Sequence, residues 1–247
     1  MVDPMSTLNL VTWNVHRCKG RDGRCDPSRI AKALKEDVAT VGPQVLALQE
    51  ADDEGSDQVG LLDLSEVESA TGLRYVPGLR WGPDSHGFQG SVLFLAPELE
   101  IAHADVLDLP GVWPRGAVVL DLAEPALRLV ATHLSLSLAL RAAQMRTIGQ
   151  YLARRPPLPL VVAGDLNEWM PWGSVALSRK VTGQRLRGPV RRTFPSSGPT
   201  LPLDRILGGD GVEVTEARAL DTPALRAASD HLPLAGRLRL RRGATSG

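Results

Sequence analysis

Eight side chains in this sequence have the types and surroundings for chemistry: Asn14, Glu50, His133, Asp165, Asn167, Asp204, Asp230 and His231. Each borders an apolar run. Asn14 follows LVTW, Glu50 follows VLALQ, His133 follows LVAT, and Asp165 and Asn167 follow LVVAG. Asp204 opens LDRIL, and the pair Asp230 and His231 precedes the last apolar run. A single carboxylate at a strand end is commonly a turn residue or a helix cap. Several such ends carrying Asp, Glu, Asn and His converge on one rim if the strands lie side by side, and α/β enzymes commonly place their sites there. Oxygen donors dominate the group, which suits a hard cation such as Mg²⁺ or Mn²⁺ better than Zn²⁺. Such a cation bridges a phosphate oxygen and offsets charge that develops in the transition state. The two histidines are then free to handle protons or to donate to phosphate. Other catalytic templates are missing: the sequence has no G-x-x-x-x-G-K-[ST] loop, G-x-S-x-G elbow, H-E-x-x-H helix or G-x-G-x-x-G turn.

The elements that must position these residues are short apolar strands alternating with helices. Strand candidates are 8–15, 44–50, 91–96, 116–123, 127–134, 158–166, 203–209 and 234–240. Helices are expected over 27–41, where Pro27 suits a first turn, over 61–71, and over 139–153, where Leu140, Gln144, Ile148 and Leu152 share a face. Segments 51–60, 77–90, 108–115 and 193–202 are rich in turn residues. Many strands with few helices, and no repeat or linker, fit an α/β fold of two mixed sheets packed face to face with helices outside. The expected architecture is a four-layer α/β/β/α sandwich. It forms one domain over 1–247, with an ordered core over about 6–240 and a frayed tail over 241–247.

The ordered series TWNV, LALQE, ATHLS, AGDLN, PLDRIL and SDHLPL resembles the motifs of the endonuclease/exonuclease/phosphatase superfamily across residues 11–234. That group includes deoxyribonuclease I, exonuclease III-type nucleases, neutral sphingomyelinases and inositol-polyphosphate 5-phosphatases. The resemblance implies a deoxyribonuclease I-like fold and a metal-dependent phosphoric ester hydrolase. It makes Glu50 the principal metal ligand, with Asn14 beside it and Asp230 approaching the metal. It has Asp165 orient or deprotonate the attacking water and Asn167 hold the phosphate or the nucleophile. His133 binds phosphoryl oxygens or acts as an acid, and Asp204 orients His231. A carboxylate that fixes the tautomer of an imidazole raises its basicity, so either His231 or Asp165 could be the base. Arg115, in PRGAVVLDL, resembles an arginine that precedes the middle strand in many members and is a candidate for substrate binding. His16 stands where many nucleases carry an aspartate, and is a second candidate for contact with phosphate. SVLFLA lacks the Ser-Arg ending common after the third motif, and the chain has little room for long DNA-gripping insertions.

Bulk properties narrow the substrate. Of 247 residues, 43% are hydrophobic, enough for a sizeable core, and 28 basic residues balance 28 acidic ones. Zero net charge gives no global attraction to a polyanion. The dense basic run is 179–192, read either as a solvated loop or as a rim for anionic substrates. A small phosphoester or a lipid head group is therefore expected to be a better substrate than duplex DNA. A DNA endonuclease or exonuclease, including abasic-site cleavage, is the rival reading, and a non-catalytic binder of phosphorylated ligands is a third. Trp169 and Trp172 could stack on a base or meet a lipid head group, but packing into the core is the first expectation. His86 and His103 are expected on the surface. Cys18 and Cys25 are read as reduced thiols in a loop. No apolar run is long enough to cross a membrane and no basic and apolar leader is visible, so a cytoplasmic protein without integral membrane association or an obligate protein partner is expected.

Overall fold

The computed structural model describes residues 6–240; the expected tail at 241–247 lies outside the described residues. Strand β1 (Ser6–Asn14) runs parallel to β2 (Val45–Gln49) and antiparallel to β11 (Leu234–Leu240). With β10 (Val212–Ala219), β4 (Val92–Leu95) and β3 (Arg74–Tyr75) they form a six-stranded sheet in the order β10-β11-β1-β2-β4-β3. The second sheet runs β5-β6-β7-β8-β9, from β5 (Ile101–Asp108) through β6 (Gly116–Leu122), β7 (Leu127–His133) and β8 (Leu160–Asp165) to β9 (Asp204–Gly208). Within it only β7 and β8 are parallel.

Helix α1 (Pro27–Ala33) starts at Asp26, whose carboxylate accepts from Arg29 N at 3.1 Å, with Pro27 in the first turn. The expected helix 27–41 is helical throughout but changes pitch, through a π-turn at Leu34–Val38 and a 3₁₀ turn at Ala39–Val41. It packs with α2 (Leu64–Thr71) and α5 (Pro223–Ala228) against the first sheet through Ile30, Leu34, Val38, Val67 and Leu225. Helix α3 (Leu138–Ala153) joins β7 to β8 and covers the second sheet, with the single turn α4 (Arg179–Thr182) beside it. The two sheets and their helices make the four-layer α/β sandwich expected from the sequence.

The strand period of two sorts the core. Leu127, Leu129 and Ala131 of β7, with Val161 and Ala163 of β8, turn inward to the first sheet. Val130 and Val162 turn outward to Met145 and Ile148 of α3. The same period carries His133 and Asp165, the last residues of their strands, onto the inner face at the rim of the sandwich.

Three strands, β3, β5 and β10, are not marked by the sequence, β3 being only two residues long. β5 is an edge strand with little buried surface, and β10 has its alternation broken by a register shift between Val214 and Glu216. Among the described residues, no helix is long and apolar enough to cross a membrane.

Gly164 in AGDLN has a positive φ of 140°, and a Cβ there would lie 1.8 Å from the Thr132 carbonyl oxygen on β7. Only glycine lets β7 and β8 approach closely at the point where His133 and Asp165 pair. Gly164→Ala should therefore cost roughly 1–3 kcal/mol or more of stability, by strand displacement and backbone strain. Urea unfolding of the two proteins checks this, and equal midpoints would refute the close-approach argument.

Candidate active site

The topology explains why the candidates meet. The C-terminal ends of β1, β2, β7 and β8 lie on one rim, and the antiparallel β9 and β11 bring their N-terminal ends to the same place. Asn14, Glu50, His133, Asp165, Asn167, Asp204 and His231 all face a cleft of about 290 Å³ there, or touch a residue that does. Arg115, just before β6, forms part of its wall. The cleft opens into a second lobe of about 340 Å³ lined by Arg17, Glu54, Gln58, Gln89 and Trp113.

Asp165 sits at the centre, 2% exposed. Its Oδ2 accepts from Asn14 Nδ2 at 3.0 Å across the sheet interface and lies 3.4 Å from His133 Nε2 and 3.7 Å from His231 Nε2. Its Oδ1 accepts from Asn167 N at 2.9 Å. Asn167 adopts a φ of 49°, a conformation asparagine tolerates, and its Nδ2 donates to Leu134 O at 2.8 Å and lies 3.3 Å from His133 Nε2.

Glu50 reaches the site by strain. Gln49 pairs with Asn14 in the parallel register, so regular alternation would send the next side chain to the opposite face. Glu50 instead takes a φ of 54°, and its Oε1 accepts from Asn14 Nδ2 at 3.1 Å. Such a backbone costs roughly 1–3 kcal/mol and persists only where the surroundings enforce it. The facing turn is strained too: His16, Arg17 and Cys18 all have positive φ, of 48°, 50° and 57°. That turn aims Arg17 at Glu50 Oε2 (2.7 Å) and Glu54 Oε1 (2.8 Å). Arg17 was not singled out in the sequence, because its position depends on this turn and not on a motif.

The Asp204 carboxylate is fully buried; its Oδ2 accepts from Thr193 Oγ1 and lies 2.8 Å from His231 Nδ1. Ser229, silent in the sequence reading, explains the first letter of SDH. Its hydroxyl donates to Asn14 O at 2.7 Å and accepts from His231 N at 3.2 Å, while Trp13 Nε1 donates to His231 O at 2.9 Å. These bonds tie the loop before β11 to β1.

The two histidines are driven in opposite directions. Burial alone would lower His231, but the Asp204 and Asp165 carboxylates outweigh it and raise the imidazole from 6.5 to about 10. Burial dominates at His133, only partly opposed by Asp165, and lowers it to about 3. At neutral pH the site thus holds a cationic His231 and a neutral His133. Burial also lowers the pKa of the Arg115 guanidinium, against the pull of Glu50 and Asp165.

Asp165, Asp204 and His231 offer ligand atoms within 4.8 Å of one another. Asp204 Oδ2 is already engaged by His231 and Thr193, so this trio is better described as a hydrogen-bonded pair beside a carboxylate than as a metal cage. Glu50 Oε2 is the more available donor: it is buried, accepts no hydrogen bond, and has Arg17 as its ionic neighbour.

Other candidates lie elsewhere. Asp230 Oδ1 is 3.6 Å from His16 Nδ1, and neither residue lines the cleft. Within the basic run, Arg187 bridges to Gly208, at the end of β9 away from Asp204, so this part of 179–192 does not rim the site. The expected core packing of Trp169 and Trp172 is overturned: both are exposed, on the loop after β8. His86 is half-buried, its Nε2 2.7 Å from Leu62 O, and not a plain surface residue. Cys18 is buried and Cys25 exposed, and both are free thiols.

Comparison with known proteins bears on family and fold. A family model described as "Endonuclease/Exonuclease/phosphatase family" matches residues 11–231. No curated protein matches the chain. Among solved structures, a functionally unknown conserved protein from Enterococcus faecalis V583 is similar with a TM-score of 0.73 and 18% identity, over 95% of this chain and all of that one (100%). A mannosyl-6-phosphatase from Bacteroides thetaiotaomicron VPI-5482 gives a TM-score of 0.70 and 17% identity over 94% of this chain and 99% of that one. TDP2 of D. rerio, solved with a single-strand DNA product, gives 0.67 and 18% over 94% and 99%. At these identities the structural likeness establishes the fold.

The raised His231 value has a consequence for stability. An unfolded imidazole titrates near 6.5 and the folded one near 10, so the ion pair with Asp204 contributes fully below 6.5 and is lost as pH rises through 10. The advantage in Tm of the wild type over His231→Asn should therefore shrink steadily between neutral pH and pH ~10. A gap that does not change with pH would mean that His231 is neutral in the fold.

Proposed function

The chain belongs to the endonuclease/exonuclease/phosphatase family, and on that premise we propose that it hydrolyses phosphoesters with the help of bound Mg²⁺ or Mn²⁺. The observation that carries this reading is the convergence of acid, amide and imidazole groups from both sheets around Asp165, at the floor of an open cleft.

The donor set fits a hard divalent cation: Glu50 offers a buried carboxylate oxygen without a hydrogen bond, and Asn14 lies beside it. Glu50 would hold the ion, and Asn14 would join it through Oδ1, the atom that accepts from His16 N at 2.9 Å. Asp230, drawn toward His16, is left as an outer contact. When bound, the cation polarises a phosphoryl oxygen and offsets developing negative charge.

The remaining roles belong to the side chains. His231, cationic and oriented by Asp204, directs Nε2 toward Asp165 and donates to a phosphoryl oxygen. With His231 already protonated, Asp165 is the better placed group to orient the attacking water and take its proton. Neutral His133 and the Asn167 amide provide uncharged hydrogen bonds to the phosphate. Arg115, in the cleft wall, adds a fixed positive charge. All these groups come from one pair of sheets, which supports reading the chain as one catalytic domain.

A small phosphoester or a lipid head group is the favoured substrate, since the chain has zero net charge and Arg187 lies away from the cleft. A nuclease is the second reading, favoured by the exposed Trp169 and Trp172, which could stack on bases. Comparing kcat/KM on abasic duplex DNA, single-stranded oligonucleotide and phospholipid or inositol phosphate separates the two; fastest cleavage of duplex DNA would establish the nuclease. The complete set of site residues argues against a non-catalytic binder.

Chelation with EDTA should abolish turnover of bis-p-nitrophenyl phosphate, and Mg²⁺ or Mn²⁺ should restore it; activity that survives exhaustive chelation contradicts metal assistance. His231→Ala should lower kcat by roughly two to four orders of magnitude, and Asp204→Asn by less. The double variant should be little worse than His231→Ala, because the two residues act as a unit. Losses that multiply would assign them separate jobs.

A further inference from the structure

Most of the large apolar side chains exposed among the described residues cluster on three segments around the mouth of the cleft. Val112 (89% exposed) and Trp113 (74%) tip the loop between β5 and β6, Leu136 (65%) follows β7, and Trp172 (82%) lies on the loop after β8. All three segments leave the rim that carries His133 and Asp165. Isolated exposed apolar residues need no explanation, but several on the loops of one rim, at a site entrance, do.

Buried polar groups hold these loops in place. Gln144 of α3 accepts from Ser135 N at 2.8 Å and donates to Pro110 O at 3.0 Å, joining two of the segments. Arg141, one turn earlier and also buried, donates to Leu136 O at 2.6 Å and lies 5.9 Å from the centre of the Trp169 ring. Arg205 donates to the carbonyls of Glu168 (3.1 Å) and Met170 (2.8 Å). The backbone is thus fixed from below while the apolar side chains point into water.

We propose that this collar docks the protein on a zwitterionic lipid surface, so that a phosphoester borne by a lipid head group enters the cleft. The docking step stands by itself; the fate of the head group rests on the hydrolytic reading above. Residue type and charge favour this partner. Trp is suited to the membrane–water boundary, and Val and Leu gain from entering it. Valine and leucine have no ring face on which a base could stack. Beside Trp113 the second lobe carries Glu50, Asp52, Asp53 and Glu54 against Arg17 and Arg115, an acidic excess that opposes a polyanion or a strongly anionic surface.

The test measures partition of the full chain onto phosphatidylcholine vesicles by flotation, with tryptophan quenching by brominated phosphatidylcholine as a second readout. The wild type should partition and be quenched. The V112S/W172S double variant, which changes two residues that line neither lobe, should lose at least ~tenfold in partition while keeping its turnover of bis-p-nitrophenyl phosphate. Glu50→Gln should keep the partition and lose the turnover. If wild type binds vesicles yet hydrolyses nothing, docking stands and the hydrolytic reading falls. The proposal is overturned if the wild type ignores phosphatidylcholine, if it binds only anionic vesicles and is released by salt, or if V112S/W172S partitions like wild type. It is equally overturned if single-stranded oligonucleotide, and not lipid, binds through Trp172.

Discussion

The hydrogen bond from Asn14 to Asp165 is the point at which the two sheets of this protein become one site. Asn14 ends β1 in the first sheet, Asp165 ends β8 in the second, and the 3.0 Å contact between them is buried. A carboxylate in such a place must be fully partnered, because burying an unpaired charge costs several kcal/mol. Asp165 is partnered from three directions, by the Asn14 amide, the Asn167 backbone and two imidazoles. Each partner is itself fixed by a strand end or a buried hydrogen bond, so the geometry of the cleft follows from the satisfaction of one group.

That requirement also explains the asymmetry of the histidines. They flank the same carboxylate, yet one is raised to about 10 and the other lowered to about 3. The difference is the second carboxylate, Asp204, which lies 2.8 Å from His231 and, of the two histidines, bonds that one alone. His133 has the Asn167 amide at 3.3 Å and Glu50 Oε1 only at 3.9 Å, and burial decides its state. Two identical side chains thereby take different charges within one cleft, as acid–base chemistry at neutral pH requires. The positive φ values at Glu50, Asn167 and the His16–Cys18 turn add strain where polar groups must be re-aimed out of regular elements.

Much of this arrangement could be read from the sequence. The polar residues at strand ends stand out against their apolar runs, and parallel neighbours bring such ends together; hence the meeting of Asn14, His133, Asp165 and Asp204 at one rim was foreseeable. Elements with strong periodicity, such as α3 and β7, were equally plain. What escaped depends on non-local or strained geometry. Arg17 meets Glu50 only because three successive residues adopt left-handed backbone. Ser229 matters through a bond to a strand residue more than two hundred positions away. Trp169 and Trp172 looked like core residues by type, whereas the polar bonds under their loop leave them in solvent. The basic run fits a solvated loop or a substrate rim equally well by composition, and the bridge from Arg187 to Gly208 carries that part of it to the far end of β9.

We infer that the strained Glu50, beside Asn14 and Asp165, anchors a catalytic divalent cation. The most direct measurement is a Mn²⁺ titration followed by electron paramagnetic resonance, on the wild type and on Glu50→Gln, without substrate. The wild type should bind Mn²⁺ in a form that Mg²⁺ displaces, and Glu50→Gln, still folded, should bind it at least ~tenfold more weakly. Equal Mn²⁺ affinity in the two proteins would contradict the claim and move the cation site away from Glu50.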